Sequence, residues 1–276
     1  MAATKPPTPV RWIATGATIV LLAAAAIGGT IMAFWSNLFH GSVDSTLPPG
    51  ARQESPVPRQ EDDPFAAARR RMIDEQLRGR DIADPNVLDA MGRVARERFA
   101  PTEMQSQAYD DHPLPIGLGQ TISQPYVVAL MTQLARPAPQ DRALEVGVGS
   151  GYQTAILAEL CKEVYGIEIL RSLANDARER LAVLGYGNVT IRCGDGYRGW
   201  PEHAPFNVIL VTAAPDRVPQ PLLEQLAPGG RLVIPVGHGV QKLLLIEKRS
   251  DGSLDRRSVA PVQFVPMTGE AERGEK

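Results

Sequence analysis

The first amphipathic segments of the chain lie between residues 69 and 99. Met72, Ile73 and Leu77 have the spacing of one helical face within RRRMIDEQLRGR. The segment DPNVLDAMGRVARERF follows, with Asp84 as the predicted N-cap and Pro85 at the first helical position. A later apolar segment, YVVALMTQLA, predicts a third helix.

From residue 142 onwards, apolar runs alternate with helical patterns. Strands are predicted at 143–148, 163–168, 189–193, 206–212, 231–236, 242–247 and 258–265, and helices at 151–161, 171–184 and 219–226. Repeated strand–helix units with apolar strands predict an α/β fold: a mostly parallel sheet with helices on both faces. Ligands of such sheets bind at the carboxyl ends of the strands, where the strand order reverses.

The N-terminal part has a different pattern. Residues 12–43 contain no Asp, Glu, Lys or Arg, and the first 24 of them are apolar enough to form a helix roughly 36 Å long. We therefore predict a cytoplasmic stub at 1–11 and a transmembrane or signal-anchor helix at 12–39. Lys5 and Arg11 precede the apolar run, so the positive-inside rule predicts that the rest of the chain is exported. A cleaved signal peptide is the alternative, although no convincing cleavage site is present.

Residues 40–66 connect this helix to the folded part. The stretch STLPPGARQESPVPRQEDDP contains five prolines and few apolar residues, which predicts a disordered linker. The folded domain is expected at 67–269, followed by a disordered tail at 270–276.

Composition excludes some classes of function. The net charge of −2 argues against a nucleic-acid-binding protein, which would carry a basic excess. Cys161 and Cys193 are too few for a disulfide framework and lack metal-site spacing, so both are expected to be buried apolar residues, and no metal is expected.

The stretch ALEVGVGSGYQTA places three glycines, Gly147, Gly149 and Gly151, directly after a predicted strand. A dinucleotide-binding turn would have a glycine where this chain has Tyr152. Glu145 stands two residues before the first glycine, and a carboxylate there suits a ligand with positive charge better than a pyrophosphate. The turn therefore predicts a cationic ligand.

Two further acids follow the next two strands. Glu168 ends the second strand, where a carboxylate can accept both hydroxyls of a ribose. Asp195 follows the third strand and is placed to accept from an adenine amine. Adenine, a free ribose and a cationic tail together predict S-adenosyl-L-methionine as the cofactor, with S-adenosyl-L-homocysteine as its product.

The loop GLGQTISQP, at 117–125, is the other concentration of polar residues. Ser123 precedes a predicted helix, so it is either the N-cap of that helix or a residue that holds a substrate anion beside the cofactor; both roles are compatible. Few candidate bases are present, and His112 near this loop has no clear role. A carboxylate acceptor needs no base because it is already ionised at neutral pH.

These segments, with PLPIGLGQTISQPYVVALMTQL, GDGYRGWP, FNVILVTAAP, LAPGGRLVIPVG and FVPM, resemble the protein-L-isoaspartate O-methyltransferase (protein-beta-aspartate methyltransferase) family over residues 69–268. The resemblance implies a Rossmann-like, S-adenosylmethionine-dependent methyltransferase fold. It also implies an enzyme that methylates the free carboxylate of L-isoaspartyl residues in damaged proteins and peptides and so starts their repair through a succinimide.

The resemblance also implies roles for individual residues. Ser123 matches the active-site serine. The cofactor-binding residues are then Thr121, Ile122, Glu145, Gly147, Gly149, Ser150, Gly151, Glu168, Asp195 and Gly196, and the substrate-binding residues are Ser123, Thr212, Ala213 and Ala214. One departure is Ile169-Leu170, where the family usually has an arginine after the acid.

The N-terminal segment lies outside the resemblance, and the family is typically cytoplasmic. We therefore expect either a membrane-anchored protein or a cytoplasmic one. For the anchored protein, the side of the membrane on which the domain lies stays undecided. Two other functions stay open at this point: a small-molecule methyltransferase on the same fold, or a non-catalytic, membrane-tethered binding domain.

Overall fold

The computed structural model describes residues 63–273, and its first elements are helices. α1 (Ala66–Arg71) continues into a π-helical segment, Met72–Arg78, and α2 covers Pro85–Arg93. Asp84 caps α2 as predicted, because its side chain accepts from the backbone N–H of Asn86 at 2.9 Å.

A two-stranded hairpin and a third helix come next. β1 (Leu114–Gly117) pairs antiparallel with β2 (Gln120–Ile122), and α3 covers Pro125–Ala135. Two short 3₁₀ segments, Arg96–Phe99 and Thr102–Gln107, lead into the hairpin. The stretch 117–125, predicted as a loop, therefore contains the turn of this hairpin, all of β2 and the first residue of α3.

Seven strands form the main sheet. They are β3 (Arg142–Val146), β4 (Glu163–Glu168), β5 (Val189–Cys193), β6 (Phe206–Val211), β7 (Leu226–Val236), β8 (Gln241–Lys248) and β9 (Leu254–Val262). Their spatial order is β5-β4-β3-β6-β7-β8-β9. β3 to β7 pair in parallel and β8 and β9 are antiparallel, which confirms the predicted mostly parallel sheet. The strand order reverses between β3 and β6, so a ligand site is expected at their carboxyl ends.

Helices cover both faces of this sheet. α4 (Tyr152–Leu160), α5 (Arg171–Val183) and α6 (Gln220–Glu224) connect the strands. On β6, Val208 and Leu210 face a core shared with α2, α3, α4 and α5. Ile209 and Val211 face a second core that includes α6. Side chains of β6 thus point alternately into two hydrophobic cores. Because both faces of the strand are buried, its residues form a continuous apolar run.

The C-terminal part differs from the prediction in two ways. β9 begins at Leu254, although the apolar pattern placed it at 258–265; its first half is an exposed edge strand whose polar residues give no apolar signal. Residues 270–273, expected to belong to a disordered tail, form the short helix α7 (Glu270–Arg273).

The predicted membrane location was wrong. Within residues 63–273, no helix is long and apolar enough to cross a bilayer. The predicted stub at 1–11, the predicted helix at 12–39 and the linker up to residue 62 lie outside the described residues. The expectation of a membrane-anchored protein has no support in the structure and is withdrawn.

The two cysteines also differ from each other. Cys161 is buried as expected, and burial raises the pKa of its thiol to about 12. Cys193 is only half-buried, at the carboxyl end of β5, so the prediction that both are buried was wrong for this one. It lies on the outermost strand of the parallel part, where a side chain has fewer neighbours.

Candidate active site

A cavity of about 330 Å³ opens at the carboxyl ends of the central strands. Its walls come from the turn and second strand of the hairpin with Ser123 after them, the glycine turn after β3, the end of β4, the start of the loop after β6, and residues 265–268 after β9. This is the edge of the sheet where the strand order reverses, as predicted from the fold class.

The glycine turn forms the floor of the cavity. Gly147 has φ +94°, and a Cβ atom there would lie 2.6 Å from the hydroxyl oxygen of Thr212. That hydroxyl donates to the Gly147 carbonyl at 2.5 Å, so the turn after β3 is tied to the residue after β6. Only glycine permits both the backbone angle and this close approach.

Glu168 connects the next strand to the same turn. Its Oε2 accepts from the backbone N–H of Gly149 at 2.8 Å, and its Oε1 accepts from that of Leu170 at 2.9 Å. The side chain is only 6% exposed, yet it lines the cavity. Each carboxylate oxygen keeps a second lone pair, so Glu168 is held in one orientation and can still accept two ligand hydroxyls.

Glu145 is placed differently. Its side chain is fully buried and does not line the cavity. The Thr154 hydroxyl donates to Oε2 at 2.6 Å, whereas Oε1 has no hydrogen-bond partner among the described residues. Burial raises the pKa of this carboxyl to about 8; the Thr154 hydrogen bond lowers it and the Glu168 charge raises it further. Its predicted role in binding the cofactor stays a prediction.

Ser123 lines the cavity between β2 and α3. The N-cap of α3 is Gln124 rather than Ser123, and no side-chain capping hydrogen bond forms there among residues 63–273. Its carbonyl accepts from Arg96 Nη2 at 2.7 Å. The position of Ser123 is therefore set by a contact with a distant part of the chain.

Arg96 is a residue that the sequence reasoning missed. It is fully buried, donates through Nε to the Ala108 carbonyl at 2.6 Å, and lies 4.8 Å from the ring centre of Tyr152. Desolvation lowers the pKa of its guanidinium. No periodic signal identified it because it belongs to a 3₁₀ segment rather than to an α-helical face.

Asp195 begins the short helical turn Gly196–Arg198. Its Oδ1 accepts from the Tyr197 N–H at 2.9 Å and its Oδ2 from the Glu270 N–H at 2.7 Å. Gly196 lines the cavity, and a Cβ atom there would lie 2.3 Å from Val146. Asp195 itself is not part of the lining, so its contact with adenine also stays a prediction.

The structure brings most of the predicted site residues to one cavity. Those that line it are Thr121, Ile122, Ser123, Gly147, Gly149, Ser150, Glu168, Gly196, Thr212 and Ala213. Four do not: Glu145, Gly151, Asp195 and Ala214. Gly151 precedes α4, and Ala214 bonds to the backbone of Val265 and Met267.

Residues 265–268 and Gln153 also line the cavity and were not predicted. The apolar run at 258–265 was assigned to a strand, but the chain leaves β9 at Val262. Gln153 lies next to the glycine turn and could have been considered as part of it.

The mostly parallel sheet of this order has a glycine turn after β3 and an acid at the end of the neighbouring strand β4. These features define a class: a Rossmann-like, S-adenosylmethionine-dependent methyltransferase. The family model for protein-L-isoaspartate (D-aspartate) O-methyltransferase matches residues 67–272. The chain therefore belongs to that family.

Relatives and solved structures agree with this assignment. A protein-L-isoaspartate O-methyltransferase from Synechococcus sp. is 53% identical over 231 residues, which cover 81% of this chain and 94% of the relative. One from Opitutus terrae is 56% identical over 204 residues, which cover 73% of this chain and 87% of the relative.

Among solved structures, a protein-L-isoaspartate O-methyltransferase is similar with a TM-score of 0.66 at 28% identity, covering 74% of this chain and 67% of that one. A Plasmodium falciparum protein described as a beta-aspartate methyltransferase, in complex with S-adenosyl-L-homocysteine, has a TM-score of 0.63 at 28% identity. The match covers 71% of this chain and 96% of that one.

Proposed function

We propose that this enzyme transfers a methyl group from S-adenosyl-L-methionine to the free carboxylate of L-isoaspartyl residues in damaged proteins. The observation that carries the proposal is the family match over residues 67–272, which includes the whole cavity. We place the methyltransferase domain at 67–269, with α7 packed against it through Glu270.

The residues of the cavity fit this donor. Glu168 offers carboxylate acceptors at the wall, and Gln153 offers a buried Oε1 that has no partner among residues 63–273. Acceptors of this kind suit a ligand with ribose hydroxyls and an ammonium group, and they would repel the phosphates of a dinucleotide.

When bound, S-adenosyl-L-methionine supplies an electrophilic methyl group on a positively charged sulfur, which no side chain of the protein can supply. The protein must place the acceptor carboxylate against it. We assign this placement to Ser123, whose hydroxyl can donate to one carboxylate oxygen, and to the N–H groups at the start of α3, which no side chain of the described part of the chain caps.

The acceptor needs no general base. A carboxylate with a pKa near ~4 is ionised at neutral pH, so the protein contributes position and partial desolvation. Thr212 and Ala213 line the cavity on the side of β6, and we assign them, together with Ala214 behind them, to the border of the peptide groove.

The product explains the repair. In the methyl ester, methanol is a much better leaving group than the oxide of a free carboxylate. The neighbouring backbone nitrogen then closes a succinimide and expels methanol, and water opens that ring partly to normal aspartate.

Paired peptides test this function. The wild-type enzyme should transfer labelled methyl groups to a peptide with one L-isoaspartate and should release methanol on standing. The same peptide with normal aspartate is the control and should stay unlabelled. Equal labelling of both would contradict the proposal and favour a less selective methyltransferase, and donor binding without labelling would favour a binding domain.

A further inference from the structure

Gln153 lies where α4 meets the cavity. It is the second residue of that helix, only 7% exposed, and lines the cavity beside the glycine turn. Its Nε2 donates to the Thr132 hydroxyl on α3 at 3.0 Å. Its Oε1 is buried and has no hydrogen-bond partner among residues 63–273.

A chain of hydrogen bonds sets the orientation of this amide. The Thr132 hydroxyl donates its single proton to the Val128 carbonyl at 2.8 Å. The Thr132 hydroxyl can therefore only accept a hydrogen bond from Gln153. For that reason it must face the amide nitrogen of Gln153 rather than the amide oxygen. Gln153 Oε1 is the atom that remains without a partner among the described residues, at the wall of the cavity.

A buried acceptor without a partner is costly, and such groups in native proteins usually have a ligand or a water as partner. The missing partner must carry an N–H or O–H group. Two candidates can reach this wall: the amino group of the methyl donor and a backbone N–H of the peptide substrate.

The sheet order favours the methyl donor. Glu168 ends β4, on one side of β3, and is proposed to hold the ribose. α3 packs over β6 and β7, on the other side of β3, so the contact between Gln153 and Thr132 lies towards that side. The methyl donor would then have its ribose at Glu168 and its amino-acid chain over the glycine turn. Its amino group would lie next to Gln153.

We propose that Gln153 Oε1 accepts a hydrogen bond from the α-ammonium group of the methyl donor. This inference rests on the proposed function, and it assigns to Gln153 the recognition of the amino-acid end of the cofactor. The contact does not involve the sulfur, so it serves the donor and its demethylated product equally.

Calorimetric titration of Gln153→Leu tests the proposal. Leu has a similar size but accepts no hydrogen bond, so affinity for S-adenosylmethionine and for S-adenosylhomocysteine should fall by the same factor, about ten- to a hundredfold. Methylthioadenosine lacks the amino-acid end, and its affinity should be the same for the variant and the wild type. Gln153→Glu keeps an acceptor and should retain donor binding.

Gln220→Leu, the same substitution at an exposed position of α6, is the matched control and should bind like the wild type. Two results would overturn the proposal: unchanged donor affinity in Gln153→Leu, or a loss that methylthioadenosine shares. A raised KM for the peptide with unchanged donor affinity would assign Gln153 to the substrate instead.

The two proposals fail differently. If the wild type methylates isoaspartyl peptides and Gln153→Leu binds the donor normally, only the inference on Gln153 is wrong. If the wild type binds neither form of the cofactor, both are wrong.

Discussion

Glu145→Gln removes the only ionisation that this fully buried side chain can undergo. Burial raises the pKa of Glu145 from 4.5 to about 8. The folded state thus holds this proton more tightly than the unfolded chain does. The resulting stabilisation is complete below about pH 4.5 and is lost as the pH rises through about 8.

The size of the effect follows from the pKa shift. At about 1.36 kcal/mol per pKa unit, the loss across this pH range is roughly 5 kcal/mol. The amide that replaces the carboxyl in Glu145→Gln has no proton to lose, and its oxygen can still accept from Thr154. The variant should therefore gain several kcal/mol relative to the wild type between pH 5 and pH 8.

Urea unfolding of the ligand-free protein at pH 5, 6.5 and 8 measures this difference. Glu179→Gln, the same substitution on the exposed face of α5, is the matched control. A free-energy difference for Glu145→Gln that stays constant over this range would refute the reasoning.

The same group should couple to the donor. A bound cation favours the ionised carboxylate, so the wild type should release a proton when S-adenosylmethionine binds near pH 7. Calorimetry in buffers of different ionisation enthalpy counts that proton. Glu145→Gln should release none; equal release by both proteins would exclude Glu145 as its source.

Three further substitutions have defined outcomes. Ser123→Ala should lower kcat much more than the affinity for the donor, and equal losses in kinetics and calorimetry would mean that Ser123 does not act on the acceptor. Asp195→Ala should weaken donor binding by about 1.5–3 kcal/mol in calorimetry, and unchanged affinity would reject the adenine assignment. Arg96→Met leaves the buried Ala108 carbonyl and the half-buried Ser123 carbonyl without their donor, at about 1–3 kcal/mol for the buried one, so its urea midpoint should fall; an unchanged midpoint would contradict this.

Much of the central sheet could be predicted because its signals are local. β4 and β5 have the predicted bounds, and β3 and β6 end within two residues of theirs. Each buried strand is a short apolar run, and the glycine turn and the Asp84 cap depend on a few adjacent residues. The edge strand β9 was misplaced because its exposed residues carry no such pattern.

The sequence by itself determined the class of fold, the glycine turn, Glu168 and the family, because spacing along the chain encodes all of them. Only the tertiary structure decided which of these residues share a cavity. Arg96 reaches Ser123 across 27 positions, and Glu270 reaches Asp195 across 75. Glu145 is fully buried, although its position before the glycine turn predicted a contact with the ligand. Burial depends on how helices and strands pack and not on the order of residues.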